Sequence, residues 1–194
     1  MMRALEFSIG AIVSLVLLGC AGIEKVKNDA PPTREERNSN MVAQLSAEII
    51  ANEGQETSYG IPLSLRNIEK FKLFYEKMNL TLEQEKIRNA ALVTIPAPCC
   101  PDNPMSTCCC TCNLAKSVWG LSNYLVKERG YDTEQVRAEA LQWLRFIRAG
   151  YYIKEELVNR GIELGSVGLS PEKSSCYTGR CNLSLKEGGC GGMG

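Results

Sequence analysis

The sequence predicts a small all-α domain of about five or six helices, with a central Cys-rich loop and an irregular Cys-rich C-terminal tail. Three observations point there. Apolar residues recur every three or four positions through most of the stretch between residues 41 and 160, the spacing of helices with one buried face. Cap signals punctuate that stretch: Thr81 and Asp132 each stand three residues before a glutamine, at Gln84 and Gln135. No segment reads as a convincing strand, and no internal repeat is present. A length of 194 residues suits one domain with a tail.

The first element is a targeting segment. "MMRALEFSIGAIVSLVLLGC" has one early cation, Arg3, and then an apolar run from Ile9 to Leu18. A helix spanning a bilayer needs about 20 apolar residues, so this run fits the core of a signal peptide instead. Its end, Leu17-Leu18-Gly19-Cys20, resembles the bacterial lipobox. That resemblance implies a signal peptide over residues 1–19, cleavage before Cys20, and lipidation of the Cys20 sulfur by diacylglycerol. Two or three acyl chains, such as palmitate, anchor stably where one alone is marginal. The expected location is therefore the cell envelope, on the extracytoplasmic side of a bacterial membrane. Arg3 has no second arginine beside it, which points to export of an unfolded chain without a preloaded cofactor.

Residues 20–40 follow as the lipidated cysteine and a flexible tether; positions 24–40 have two prolines and no apolar periodicity. A first helix is expected over 41–53, with Met41, Leu45, Ile49 and Ile50 on one face. Ser64 reads as the N-cap of the next, which carries Leu65, Ile68, Phe71, Tyr75 and Met78 at helical spacing. The helix opened by the Thr81–Gln84 capping box should end near Val93, because Pro96 and Pro98 disfavour helix before them. Beyond the cysteine loop, Leu114, Val118, Leu121 and Leu125 form a stripe, and Gly130 is a natural stop. Asp132 and Gln135 open a helix whose Val136, Ala140, Leu141, Leu144 and Ile147 face inward. A shorter helix around 152–160 should end at Gly161. The helical domain is thus expected over 41–168. The tail, 169–194, is rich in Gly and Ser and too poor in apolar residues to offset its own ordering entropy. It is expected to pack on the cysteine loop through Cys176, Cys181 and Cys190.

Charge is balanced, with 22 Lys+Arg against 22 Asp+Glu, and no basic stripe suggests a nucleic-acid partner. The chain has no histidine. That excludes Ser-His-Asp and Cys-His catalysis, His-ligated haem and Cys/His zinc sites. Neither haem nor a nucleotide is expected, and special chemistry falls mainly to sulfur and carboxylates.

Ten cysteines are present, six of them between residues 99 and 112 in "PCCPDNPMSTCCCTCN". Three readings compete. Exported cysteines commonly form disulfides, although neighbours such as Cys99 and Cys100 pair poorly with each other and need separate partners. Alternatively, Cys108, Cys109, Cys110 and Cys112 gather thiolates where a helix begins near Asn113, with Cys99 and Cys100 approaching from the other side. Soft sulfur without histidine favours a thiophilic ion such as Cu(I) or Zn, and an iron–sulfur cluster is less suited to export unfolded. In both readings Cys176, Cys181 and Cys190 act as disulfide partners or auxiliary ligands. In the third reading, Cys110 and Cys112 form a reactive Cys-x-Cys pair at a helix start, poised for thiol–disulfide exchange. The leading expectation is a non-enzymatic, membrane-anchored lipoprotein that binds a soft metal ion through these thiolates. A redox protein and a disulfide-stapled interaction module are the alternatives.

Other conspicuous residues have plainer readings. Trp119, Tyr124 and Trp143 fit core or rim packing, and Glu134 fits a first-turn helix acid. Met193 would serve as a soft ligand only if the terminus were held in place.

The lipobox, "IPAPCC", "CCCTCNLAKSVWGL" and the terminal "GGCGGMG" together resemble an uncharacterised group of bacterial Cys-rich exported lipoproteins over most of the mature chain. That group brings no established activity. The chain is also similar, more faintly, to the Pro-Cys-Tyr-Cys-Gly-Cys lipoproteins, which join a lipobox to a Pro-Cys-led cluster and a helical segment. Cys110 and Cys112 ahead of two helices further resemble the thiol-reductase subunit of cytochrome c maturation, without its C-x-x-C spacing.

Overall fold

Six α-helices and one short antiparallel hairpin make up most of the regular structure of residues 31–108 and 111–170, the residues described in this computed structural model. The expected all-α class is what the chain adopts. From Pro32 onward the described residues belong to one compact unit. Among them, no helix is long and apolar enough to cross a membrane.

Helix α1 (Arg34–Ile49) begins seven residues before the expected start at 41, so residues 34–40 are helix and not tether. The reason is a capping box in the charged run. Thr33 Oγ1 accepts from the Glu36 N–H at 3.2 Å, and the Thr33 N–H donates to the Glu36 carboxylate at 2.7 Å. Glu35 and Glu36 also sit at the positive end of the helix dipole. Leu45 is buried, Ile49 and Ile50 pack on the core, and Met41 is exposed.

Helix α2 (Asn67–Lys77) starts later than Ser64. Leu63 is fully buried and pinned by a backbone pair, its N–H donating to Gln55 O at 2.8 Å and its carbonyl accepting from Gly54 N–H at 2.6 Å. Ser64 therefore belongs to a turn: its carbonyl accepts from Asn67 N–H, and its hydroxyl accepts from Arg66 N–H. Leu65 is consequently exposed, while Ile68 and Phe71 face the core.

Helix α3 (Leu82–Val93) opens on the Thr81–Gln84 capping box and ends at Val93, as expected. The chain then forms β1 (Pro96–Ala97) and β2 (Cys100–Pro104), a hairpin where no strand was expected. Pro96 faces Pro104 and Ala97 faces Cys100, with an irregularity between the two pairs. Proline holds its own φ in the extended range but cannot donate to a ladder, so the pairing is short. Met105 N–H closes it by donating to Ile95 O at 2.7 Å.

After a 3₁₀ turn at Met105–Thr107 comes α4 (Asn113–Arg129), whose Leu114, Val118, Leu121 and Leu125 are all fully buried. It ends at Gly130, whose φ of 65° is the left-handed conformation that glycine adopts without a Cβ clash. Helix α5 (Thr133–Ile147) opens on the Asp132–Gln135 capping box. Its Val136, Ala140, Leu144 and Ile147 are buried, and Leu141 is half-buried. Helix α6 (Ala149–Asn159) begins three residues before the expected 152, almost continuous with α5.

The core lies among α2, α3, α4 and α5. Trp143 is its largest side chain, fully buried, meeting Phe71 edge-on at 4.9 Å and donating from Nε1 to Ser117 Oγ at 3.1 Å. Burying such rings supplies both apolar area and about 0.5–1.5 kcal/mol per aromatic pair. Trp119 donates to the Met105 carbonyl at 2.7 Å, tying α4 to the end of the cysteine hairpin, and Tyr124 stacks on Phe74 at 5.0 Å. All three aromatic residues thus pack as expected. Glu134 is exposed in the first turn of α5, 3.7 Å from Arg137.

Candidate functional site: a buried cysteine hairpin

The four described loop cysteines are inside the protein. Cys99, at the hairpin turn, is 1% exposed; Cys100, on β2, is 2% exposed; Cys108 and Cys112 are 8% and 6% exposed. They share one apolar cluster with Ala97, Met105, Leu114 and Ala115. Pro96 and Pro98 disfavour continuing the α3 helix, and the hairpin that follows pairs Ala97 with Cys100. Cysteine is among the most buried residue types and packs as a small hydrophobe, which suits these positions.

The sulfurs have different surroundings. Cys99 Sγ and Cys108 Sγ lie 4.0 Å apart. A disulfide requires about 2.05 Å. A tetrahedral site with metal–sulfur bonds of about 2.3 Å has edges near 3.8 Å. Cys100 is disulfide-bonded, and its counterpart lies outside the described residues. Cys112 is the N-cap of α4: its sulfur accepts from Ala115 N–H at 3.5 Å, where Ser, Thr, Asp or Asn usually stands. Its sulfur therefore sits at the positive end of the α4 dipole, as expected from the sequence.

Of the expected ligand set, the structure brings Cys99 and Cys108 together, commits Cys100 to a disulfide, and uses Cys112 to cap a helix. Among the described residues, no three Cys, Asp or Glu side chains gather as a metal-holding group. Cys109 and Cys110 lie outside the described residues, as do Cys20, Cys176, Cys181, Cys190 and Met193. The expected packing of the tail on the loop falls outside them too.

One group of residues was passed over in the sequence. "RFIRAGYYIKEE", 145–156, crowds two arginines and two tyrosines around the α5–α6 junction. Arg145, Tyr152 and Glu155 from this run line a cavity of about 190 Å³. The available signal was a tyrosine at a buried helical position with charged residues within a turn or two of it.

Fold and sulfurs together define a small helical domain with a cysteine hairpin built into its core. No protein-family model, curated protein or solved structure matches the chain.

Proposed function

We propose that the protein is an exported lipoprotein, held to a bacterial membrane through Cys20, whose helical domain is a disulfide-stapled, non-enzymatic interaction module. One observation carries this reading over the metal-binding one: Cys100 is already in a disulfide, and the other described loop cysteines are buried in apolar packing. A cross-link at this point ties the hairpin down after a proline-rich break, where regular hydrogen bonding is sparse. Such a bond typically contributes about 2–4 kcal/mol, chiefly by restricting the unfolded chain. Export to an oxidising compartment keeps it formed.

The 4.0 Å separation of Cys99 and Cys108 supports a second reading. It is close to one edge of a thiolate tetrahedron, and Cys109, Cys110 and Cys112 would supply the remaining sulfurs for Cu(I) or Zn. Thermal unfolding of the exported protein separates the two readings. Under the staple reading, a reductant lowers the melting temperature and a strong chelator leaves it unchanged. A chelator-induced loss of stability, reversed by adding back one metal, would establish the metal reading instead.

A further inference from the structure

The geometry points to a binding site, separate from the cysteines, for a small amino-acid-like zwitterion in the cavity between the end of α3 and helices α5 and α6. The cavity is about 190 Å³, below the roughly 300–1,000 Å³ of sites for drug-sized ligands, so its occupant is small. Ile95 and Leu141 supply apolar wall.

Its polar groups divide into two sets. Some are already committed: the Glu156 carboxylate accepts from Arg160 Nε at 2.7 Å, and Arg137 Nε donates to Thr94 Oγ1 at 3.0 Å. Three others have no hydrogen bond among the described residues. Arg145 Nε and the Tyr152 hydroxyl are buried polar atoms without a partner, and Tyr152 is only 6% exposed. Glu155 forms no ion pair within 4 Å among the described residues, although Arg145 is its electrostatic neighbour. Burial, and after it the nearby Tyr151 and Glu155, push the Tyr152 phenol up, while Arg145 and Arg148 oppose them. Burial likewise pushes the Glu155 carboxyl up against the pull of Arg145.

A cation, a hydroxyl and a carboxylate thus influence one another across a gap that none of them closes. Leaving the buried Arg145 Nε and Tyr152 hydroxyl unsatisfied costs about 1–3 kcal/mol each, a cost that an occupant relieves. The donors, Arg145 and Tyr152, suit a carboxylate. Glu155 suits the ammonium of the same molecule. Groups of opposite charge lining one small cavity select a zwitterion over a simple anion or cation.

Calorimetric titration of the full chain in detergent tests this, using the twenty common L-amino acids, with propionate and ethylamine as the half-charged controls. Saturable binding of at least one amino acid is expected, with both controls about tenfold weaker. Tyr152→Phe keeps the packing and should weaken binding about tenfold, with the melting temperature reported alongside to show that it folds. Glu155→Gln should abolish the preference for the amino acid over propionate. The proposal is overturned if no amino acid binds with a Kd below about 10 mM, if propionate equals the best amino acid, or if both folded variants bind like the parent. None of these outcomes depends on the state of the cysteines, so the site stands or falls apart from the staple reading.

Discussion

Gly120→Ala isolates a close backbone approach of α4 to α2. A Cβ at position 120 would lie 1.7 Å from the Phe71 carbonyl oxygen, 2.7 Å from Phe71 C and 2.8 Å from Tyr75 N. An ordinary contact is about 3.5 Å, so the shortest of these falls short by nearly 2 Å. All three atoms are backbone of α2, and no side chain can rotate aside. Helix α2 must move away from α4, loosening the packing between them. Overpacking of this kind costs about 3 kcal/mol at the upper end of its usual range. Helix propensity acts in the opposite sense, since alanine is about 1 kcal/mol better than glycine within a helix. The net expectation is a loss of about 2 kcal/mol. With a urea slope of about 2 kcal/mol/M, the midpoint of unfolding should fall by about 1 M. The assay is urea unfolding of the lipid-free domain followed by far-UV circular dichroism. An unchanged or higher midpoint would refute the close approach, because propensity alone would then have decided the sign.

Three further outcomes follow from the same structure. Cys100→Ser removes one half of a disulfide from a buried position and should cost about 2–4 kcal/mol; equal unfolding midpoints for variant and parent would contradict the staple. Asp132→Ala removes the side chain that accepts from Gln135 N–H at 2.9 Å and should cost about 1 kcal/mol in denaturant unfolding; an unchanged midpoint would contradict the cap. Alkaline titration should expose the buried phenols. Tyr59 and Tyr152 are both pushed up, first by burial, so the unfolded chain ionises them before the folded one does. Their contribution is whole below the unfolded tyrosine value of about 10 and is lost as pH rises beyond it. Absorbance at 295 nm should show some of the seven tyrosines titrating only as the fold is lost; smooth titration of all of them ahead of unfolding would count against the burial.

Helices α3, α4 and α5 were legible because their signals are local. The Thr81 and Asp132 boxes, the Leu114–Leu125 stripe and Gly130 each act within a few residues of where they stand. The start of α1 was not, because "TREERNSN" has no apolar residue to set a period. Its helix rests on the Thr33–Glu36 box and on partners far along the chain, including Arg160 to Glu48 at 2.8 Å. The hairpin was hidden for a similar reason. Pro96, Pro98, Pro101 and Pro104 read as a break, and the pairing depends on where Ile95 and Met105 are already held.

The sulfurs themselves were conspicuous in the sequence. Spacing alone did not reveal that Cys99, Cys100, Cys108 and Cys112 face apolar packing, since burial is set by tertiary contacts that no local period reports. The Arg145–Tyr152–Glu155 group was missed because it is assembled across a helix junction, beyond the reach of a single periodicity.

The measurement closest to the central proposal is a count of thiols and metal on one sample. The protein is taken from the envelope, alkylated under denaturing, non-reducing conditions and weighed by mass spectrometry, with metal analysis of the untreated material. With Cys20 lipidated and the remaining nine cysteines stapled, about one alkylated thiol and no stoichiometric metal are expected. Four or more reactive thiols, together with about one equivalent of copper or zinc, would contradict the staple and establish the loop as a metal centre.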